Sequence, residues 1–138
     1  MQYNKVLAFA LFGALLACIS CKRETKDEKF KRDYEQFTQK ECPRHIDEYT
    51  CMDSILYDIE SRTLTEYYTV SGRLDVDSIY ADGTLLNDFR ESLLKGLKGD
   101  LLLKPLKDEG VTFRYTYRSA TTGNTRLELT YTEEEYGK

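Results

Sequence analysis

From Val111 to Tyr131 apolar and polar residues alternate almost without exception. Val111, Phe113, Tyr115 and Tyr117 interleave with Thr112, Arg114, Thr116 and Arg118; beyond Thr122-Gly123-Asn124, Leu127, Leu129 and Tyr131 interleave with Arg126, Glu128 and Thr130. Successive side chains of a strand point to opposite faces, so a period of two dictates two strands, and Thr-Gly-Asn supplies the turn between them. One face of the hairpin is apolar and the other charged. That pattern belongs to an antiparallel sheet covered on one side only.

The remaining elements follow from the same kind of periodicity. Between Glu24 and Glu41 there is neither glycine nor proline, and Phe30, Tyr34 and Phe37 recur at helical spacing. The pairs Asp27/Lys31 and Glu28/Arg32 add i,i+4 support, and the helix should stop before Cys42-Pro43, because proline disfavours helix in the residue ahead of it. From Tyr49 to Ile59, Tyr49, Cys51, Ile55, Tyr57 and Ile59 fall on one side of a strand, with Asp53 the exception. After Glu60-Ser61-Arg62, Leu64, Tyr68, Val70 and Leu74 share a face, giving a hairpin whose second strand carries a bulge or ends at Gly72. Leu86, Phe89, Leu93 and Leu97 then mark an amphipathic helix that Asp82 or Thr84 can cap and Gly99 can end. Leu101-Leu102-Leu103 and Leu106, around Pro105, read as a connection buried beneath the sheet. The expected fold is α+β: an N-terminal helix, then β-β-α-β-β, with a four-stranded antiparallel sheet covered on one face by a helix.

Ahead of this body lies Lys5-Val-Leu-Ala-Phe-Ala-Leu-Phe-Gly-Ala-Leu-Leu-Ala-Cys18-Ile-Ser-Cys21. Its apolar run, Val6 to Ala17, is shorter than the roughly 20 residues needed to cross a bilayer as a helix, and a short apolar region behind a charge and before small residues is the pattern of a removable export signal. Leu15-Leu16-Ala17-Cys18 resembles a lipobox, which makes Cys18 the residue to carry lipid. Cys21, behind Ile19-Ser20, is the alternative, and cysteine parity favours it, since cutting there leaves only Cys42 and Cys51. Residues 1–17 (or 1–20) are thus read as a lipoprotein signal peptide, with an ordinary secretory signal that carries no lipid as the other alternative, 18–28 as a tether and 29–138 as a single domain. Neither cysteine is followed by Asp, which points to the outer membrane of a Gram-negative envelope. The basic segment Lys22 to Arg32 could rest on anionic head groups.

A net charge of −4 argues against nucleic acid, whose binding requires a basic surface. Cys42 and Cys51 enclose Pro43-Arg-His-Ile-Asp-Glu-Tyr-Thr50. In an exported protein the default is a disulfide, with a metal site using His45 and Asp47, or two free thiols, as alternatives. Phosphate loops, nucleophile elbows and His-Glu-x-x-His pairs are missing from the sequence, so no catalytic residue, cofactor or metal is assigned. Asp53 is the best single acid, and a small envelope hydrolase using carboxylates is the alternative function. Among the 11 tyrosines, Tyr67, Tyr80 and Tyr136 fall outside the clean apolar faces and are candidate interface residues, as is the charged platform of Arg114, Arg118 and Arg126. The function expected is that of a lipid-anchored envelope protein, a structural accessory or a module that binds a protein partner, with an inhibitor or immunity role as a special form.

Cys42-Pro43 with Asp47 and Asp53-Ser54, the run Tyr67-Tyr-Thr-Val-Ser-Gly72, and Gly110-Val-Thr-Phe-Arg-Tyr115 ahead of Thr132-Glu-Glu-Glu-Tyr136 together resemble a group of small exported bacterial lipoproteins. The resemblance covers about Cys42 to Tyr136. It implies a compact α+β envelope domain, carries no activity, and sets Cys51 at a position where threonine is expected.

Overall fold

A computed structural model describes residues 23–137. Cys18 and Cys21, with the whole signal segment, lie outside the described residues. The described chain runs α1 (Lys26–Glu41), β1 (Arg44–His45), β2 (Thr50–Asp58), β3 (Thr63–Val70), a single 3-10 turn, α2 (Asp77–Ala81), α3 (Gly83–Gly99), α4 (Lys104–Asp108), β4 (Thr112–Ser119), β5 (Thr125–Tyr131) and α5 (Glu133–Tyr136).

The five strands form one sheet in the order β1-β2-β3-β4-β5. It differs from the expected four-stranded antiparallel sheet in two ways. β1, two residues long, pairs with β2 through Arg44↔Met52 and His45↔Cys51, and is too short to show any period. The central pair β3–β4 is parallel, with Leu64 opposite Phe113 and Tyr68 opposite Tyr117. The cause is α3: 17 residues of helix span about 25 Å, the length of the sheet, so the chain is carried back to the starting edge before β4 begins. The outer pairs, β2–β3 and β4–β5, are antiparallel hairpins as expected.

One face of the sheet holds the core. Tyr57, Ile55 and Met52 of β2, Leu64 and Val70 of β3, Phe113, Tyr115 and Tyr117 of β4, and Leu129 and Tyr131 of β5 are all buried there. β2 carries a bulge at Asp53, where the register shifts between Met52 and Ser54. The extra residue reverses the alternation, so Met52 faces the core in place of the expected Cys51. Beyond it, Ile59 lies in the turn, not the strand. Of the two alternatives at Gly72, a bulge or the strand's end, the structure has the end: β3 stops at Val70, and Gly72 opens the 3-10 turn at φ +53, where a Cβ would come within 2.8 Å of the Tyr49 ring.

Both long helices are punctuated as their sequences require. α1 starts with a reciprocal capping box between Thr25 and Glu28 and stops at Cys42. No α1 residue is fully buried; its stripe of Phe30, Tyr34 and Phe37 only leans on the core, and Phe30 meets Tyr57 edge-on at 5.6 Å. Asp82 caps α3, accepting from the backbone N–H groups of Thr84 and Leu85, and buried Leu97 anchors the far end of that helix.

The expectation of a buried leucine connection after α3 is corrected. Leu106 is buried and Leu103 partly so, but Leu101 and Leu102 are 81% and 87% exposed. Three carbonyls at this corner, those of Leu97, Lys98 and Asp100, accept from Lys107 Nζ at 2.8, 3.0 and 2.8 Å. That ammonium closes the end of α3 and turns the intervening leucines outward.

Candidate partner-binding cavity

α3 does not lie flat on the sheet along its whole length. At its N-terminal end, α2 and the 3-10 turn hold it away from the strands, and a cavity of about 440 Å³ opens between them. Tyr68 and Val70 of β3, Tyr117 of β4 and Leu127 of β5 form its floor; Leu86, Phe89 and Leu93 of α3 form its roof; Leu74, Ile79 and Tyr80 close one side. The periodicity that marked α3 in the sequence therefore serves two purposes. Leu97 fills the core, whereas Leu86, Phe89 and Leu93 line open space.

The aromatic lining is held in place by its own packing. Tyr68 and Tyr117 stack at 5.0 Å, and Phe89 meets Tyr117 edge-on at 5.5 Å. Tyr80 donates its hydroxyl to the Leu74 carbonyl at 2.9 Å, which fixes the side wall. At the mouth, Ile46, Leu85 and Phe89 are exposed large apolar residues gathered around one opening. Asp47 is the one charged residue of the lining.

Beyond Tyr68, on the same face of β3, lies Glu66. It interrupts the apolar stripe Leu64, Tyr68, Val70, and its carboxylate accepts the Tyr68 hydroxyl. Desolvation holds the Glu66 carboxyl above its ordinary range, with the Tyr68 hydrogen bond acting against it. Burial, reinforced by the charge of Glu66, pushes the Tyr68, Tyr115 and Tyr117 hydroxyls far up, and Tyr34 to about 12. These phenols stay protonated donors throughout the physiological range.

The residues singled out in the sequence are scattered. Tyr80 belongs to the cavity wall. Arg126 stands beside it, 5.9 Å from the Tyr80 ring, but its guanidinium is bound to Asp75 at 2.9 Å and to Asp77. Tyr136 is 7% exposed and donates to the Val111 carbonyl at 2.8 Å, so it offers a partner almost no surface. Tyr67, Arg114 and Arg118 occupy the uncovered face of the sheet, with Arg118 stacked over the Tyr67 ring at 4.9 Å. Arg114 Nε lies 3.7 Å from Glu128 and makes no hydrogen bond.

Asp53 sits in the bulge of β2, where its carboxylate accepts from Thr69 Oγ1 at 2.7 Å. It faces away from Glu66, and the two carboxylates do not meet. Cys42, capping α1, and Cys51, in β2 opposite His45, are separate half-buried thiols, and burial pushes both up. Among the described residues no three His, Cys, Asp or Glu side chains converge as metal ligands, and no helix is long and apolar enough to cross a membrane. The cavity, the Glu66 carboxyl and the exposed leucine pair were not anticipated. Only Glu66 left a trace in the sequence, as one acid inside an otherwise apolar stripe.

A family model described as a domain of unknown function (DUF8479) matches residues 25–127. No curated protein matches the sequence. Among solved structures, the fold is similar to a presumed secreted protein from Pseudomonas aeruginosa, at 13% identity and a TM-score of 0.63 over 82% of this chain and 97% of that one. It is also similar to the pilotin of the Vibrio vulnificus type 2 secretion system, at 11% identity and a TM-score of 0.58 over 80% of this chain and 90% of that one.

Proposed function

We propose, for a chain that belongs to the DUF8479 family, a role as an accessory protein of the bacterial envelope that receives an apolar segment of a protein partner in the cavity beneath α3. The observation that carries this reading is the mouth of the cavity. Ile46, Leu85 and Phe89 are large, apolar and exposed around a single opening, an arrangement that marks interaction sites more often than it occurs at random on a monomer. The lining is apolar and aromatic, suited to a few inserted side chains. Asp47 at the rim and a net charge of −4 favour a partner whose apolar segment is flanked by basic residues.

The likeness to a pilotin supports placing the partner in a secretion system, and the likeness to a presumed secreted protein supports the envelope as the location. On this reading residues 1–17 are removed as a signal peptide, and Cys18 carries the lipid that holds the protein at the outer membrane. With Cys21 as the lipidated residue, the cut falls after Ser20. Cys42 and Cys51 become a disulfide in that oxidising compartment.

The geometry suits such an arrangement. The tether joins the fold at α1, whose first turn meets α4 and the Asp58 end of β2, whereas the cavity lies at the Thr50 end of the same strand. A strand of nine residues puts roughly 25–30 Å between the two.

A photo-crosslinking residue at Leu85, introduced in cells of the native host, tests the proposal. One discrete protein adduct is expected from Leu85 and none from Arg118 on the open sheet face, and Leu86→Glu should abolish it without lowering the protein's abundance. Equal labelling from both positions, or an adduct that survives Leu86→Glu, would refute the cavity as the docking site.

A further inference from the structure

Leu101 and Leu102 are the most exposed large apolar residues of the described chain. They are not a loose loop. Lys107 fastens the corner before them, Leu103 and Leu106 anchor the chain after them, and the Leu102 N–H donates to Asp100 Oδ1 at 2.8 Å. The fold thus displays two leucines rigidly to solvent.

Their surroundings are rich in lysine and adjoin the start of α1. Leu101 shares a shallow surface hollow with Lys98, Lys104 and Lys107. The neighbouring hollow, which has Asp108 in common with it, is lined by Lys26 and Lys29 of α1 and by Pro105 of α4. Lys26 bonds Glu109, and Lys104 holds Asp108 at 2.7 Å. The carboxylates Asp108 and Glu109 are therefore already engaged by lysines, and Asp100 is turned to the Leu102 backbone; Glu133 stands at the outer edge of the hollow. Arg23 and Glu24, ahead of α1, enter the fold at this same end.

We propose that Leu101 and Leu102, with Lys98 and Lys104 beside Leu101 and Lys26 and Lys29 in the adjoining hollow, form a membrane-contact surface that seats in the boundary between head groups and acyl chains. This rests on the reading of the N-terminus as a membrane anchor. Exposed leucines beneath a fringe of lysines match what interfacial binding requires, apolar side chains below the head groups and long cationic side chains reaching them. Two leucines would hold a free protein weakly. Once the N-terminus is tied to the bilayer, insertion becomes intramolecular and its effective concentration is high. The consequence is orientation: α4 and the start of α1 face the lipid, and the cavity points away from it.

The chain contains no tryptophan, so Leu102→Trp creates a single fluorescent reporter. The full chain, processed in cells and reconstituted into phosphatidylcholine vesicles containing phosphatidylglycerol, is read by flotation and by quenching with acyl-brominated lipid. Flotation with a blue-shifted Leu102→Trp emission that brominated lipid extinguishes is the expected result, while Val76→Trp, at the cavity end, keeps its emission. Flotation with an unquenched Leu102→Trp would overturn the contact surface and leave the anchor intact, as would occupancy of the leucines by a protein. Failure to float removes the anchor and the contact surface together. Because both leucines are exposed, Leu101→Ser/Leu102→Ser should keep the fold. Hydrogen exchange over 98–104 should then lose the protection that vesicles give the unsubstituted protein, and protection identical in the two would also overturn the proposal.

Discussion

Thr38 Oγ1 accepts the backbone N–H of Ile55 at 2.8 Å and donates to the carbonyl of the same residue at 2.7 Å. β1 pairs with β2 only at Cys51 and Met52, so beyond the bulge the outer edge of β2 has no strand beside it. An open edge is a template for pairing with other chains. α1 closes it with one hydroxyl that does what a neighbouring strand would have done. Thr38→Val keeps the shape and removes both bonds, leaving two part-buried backbone groups unpaired; a loss of about 1–3 kcal/mol is expected. Denaturant unfolding checks this: the midpoint should fall with the slope unchanged.

Glu66 gives stability an unusual pH dependence for a carboxylic acid. Desolvation raises its folded pKa above the ordinary 4.5, with the hydrogen bond from Tyr68 pulling the other way. The folded state then binds the proton more tightly than the unfolded one, so this group's contribution is most favourable below 4.5 and is lost as pH rises through the folded value. Glu66→Gln keeps an acceptor for the Tyr68 hydroxyl and removes the charge. Its melting temperature should exceed that of the unsubstituted protein at pH 7, and the gap should vanish below pH 4.5. A gap of equal size at both pH values would show that the effect is one of packing and not of charge.

What was legible in the sequence was the short-range periodicity. Val111 to Tyr131 could only be a hairpin, and Leu86, Phe89, Leu93 and Leu97 could only be one helix face. Where a single residue breaks the period, the reading failed: Asp53 shifts the register of β2 and turns Met52, not Cys51, to the core. The parallel β3–β4 pair was hidden because alternation records which face is buried and not the direction of the neighbouring strand. The cavity was hidden for a related reason. Leu86 and Leu97 carry the same sequence signal, and only the position of α2 decides that one lines a void and the other fills the core. Leu101 and Leu102 misled through the usual equation of leucine with burial, an equation that fails when a neighbouring lysine ties up the backbone and turns the leucines out.

Cys42 and Cys51 are free thiols in the structure, and each is pushed up first by burial, with the field of Cys51 adding to the shift at Cys42. Elevated thiols are sluggish nucleophiles at neutral pH. Formation of the proposed disulfide should therefore be slow without a catalyst and complete in the envelope. Thiol counting under denaturing, non-reducing conditions should find neither cysteine in protein taken from the envelope and both in protein made in a reducing cytosol. Closing a ten-residue loop should add roughly 2.5–3 kcal/mol on the chain-entropy model, read as a higher denaturation midpoint before than after reduction. Two reactive thiols in the envelope form would eliminate the bond.

Asp75 shows the opposite titration, and it holds the cavity's side wall to the end of the sheet. Its carboxylate, 2% exposed, accepts from Ser119 Oγ at 2.8 Å, from the Thr121 N–H at 3.0 Å and from Arg126 Nε at 2.9 Å, joining the start of α2 to the β4–β5 turn. Burial alone would raise its pKa, but the hydrogen bonds outweigh it and hold the group down to about 2, against an ordinary 3.8. The unfolded state therefore binds the proton more tightly, and the stabilisation present above 3.8 is lost as pH falls through about 2. Asp75→Asn should lower the melting temperature at pH 7 and match the unsubstituted protein near pH 2. Because Arg126 would lose its buried partner and Tyr80 stands beside it, the same variant should loosen the wall and reduce crosslinking from Leu85 at neutral pH. A melting difference that persists unchanged to pH 2 would show that the carboxylate's charge is not what joins α2 to the sheet.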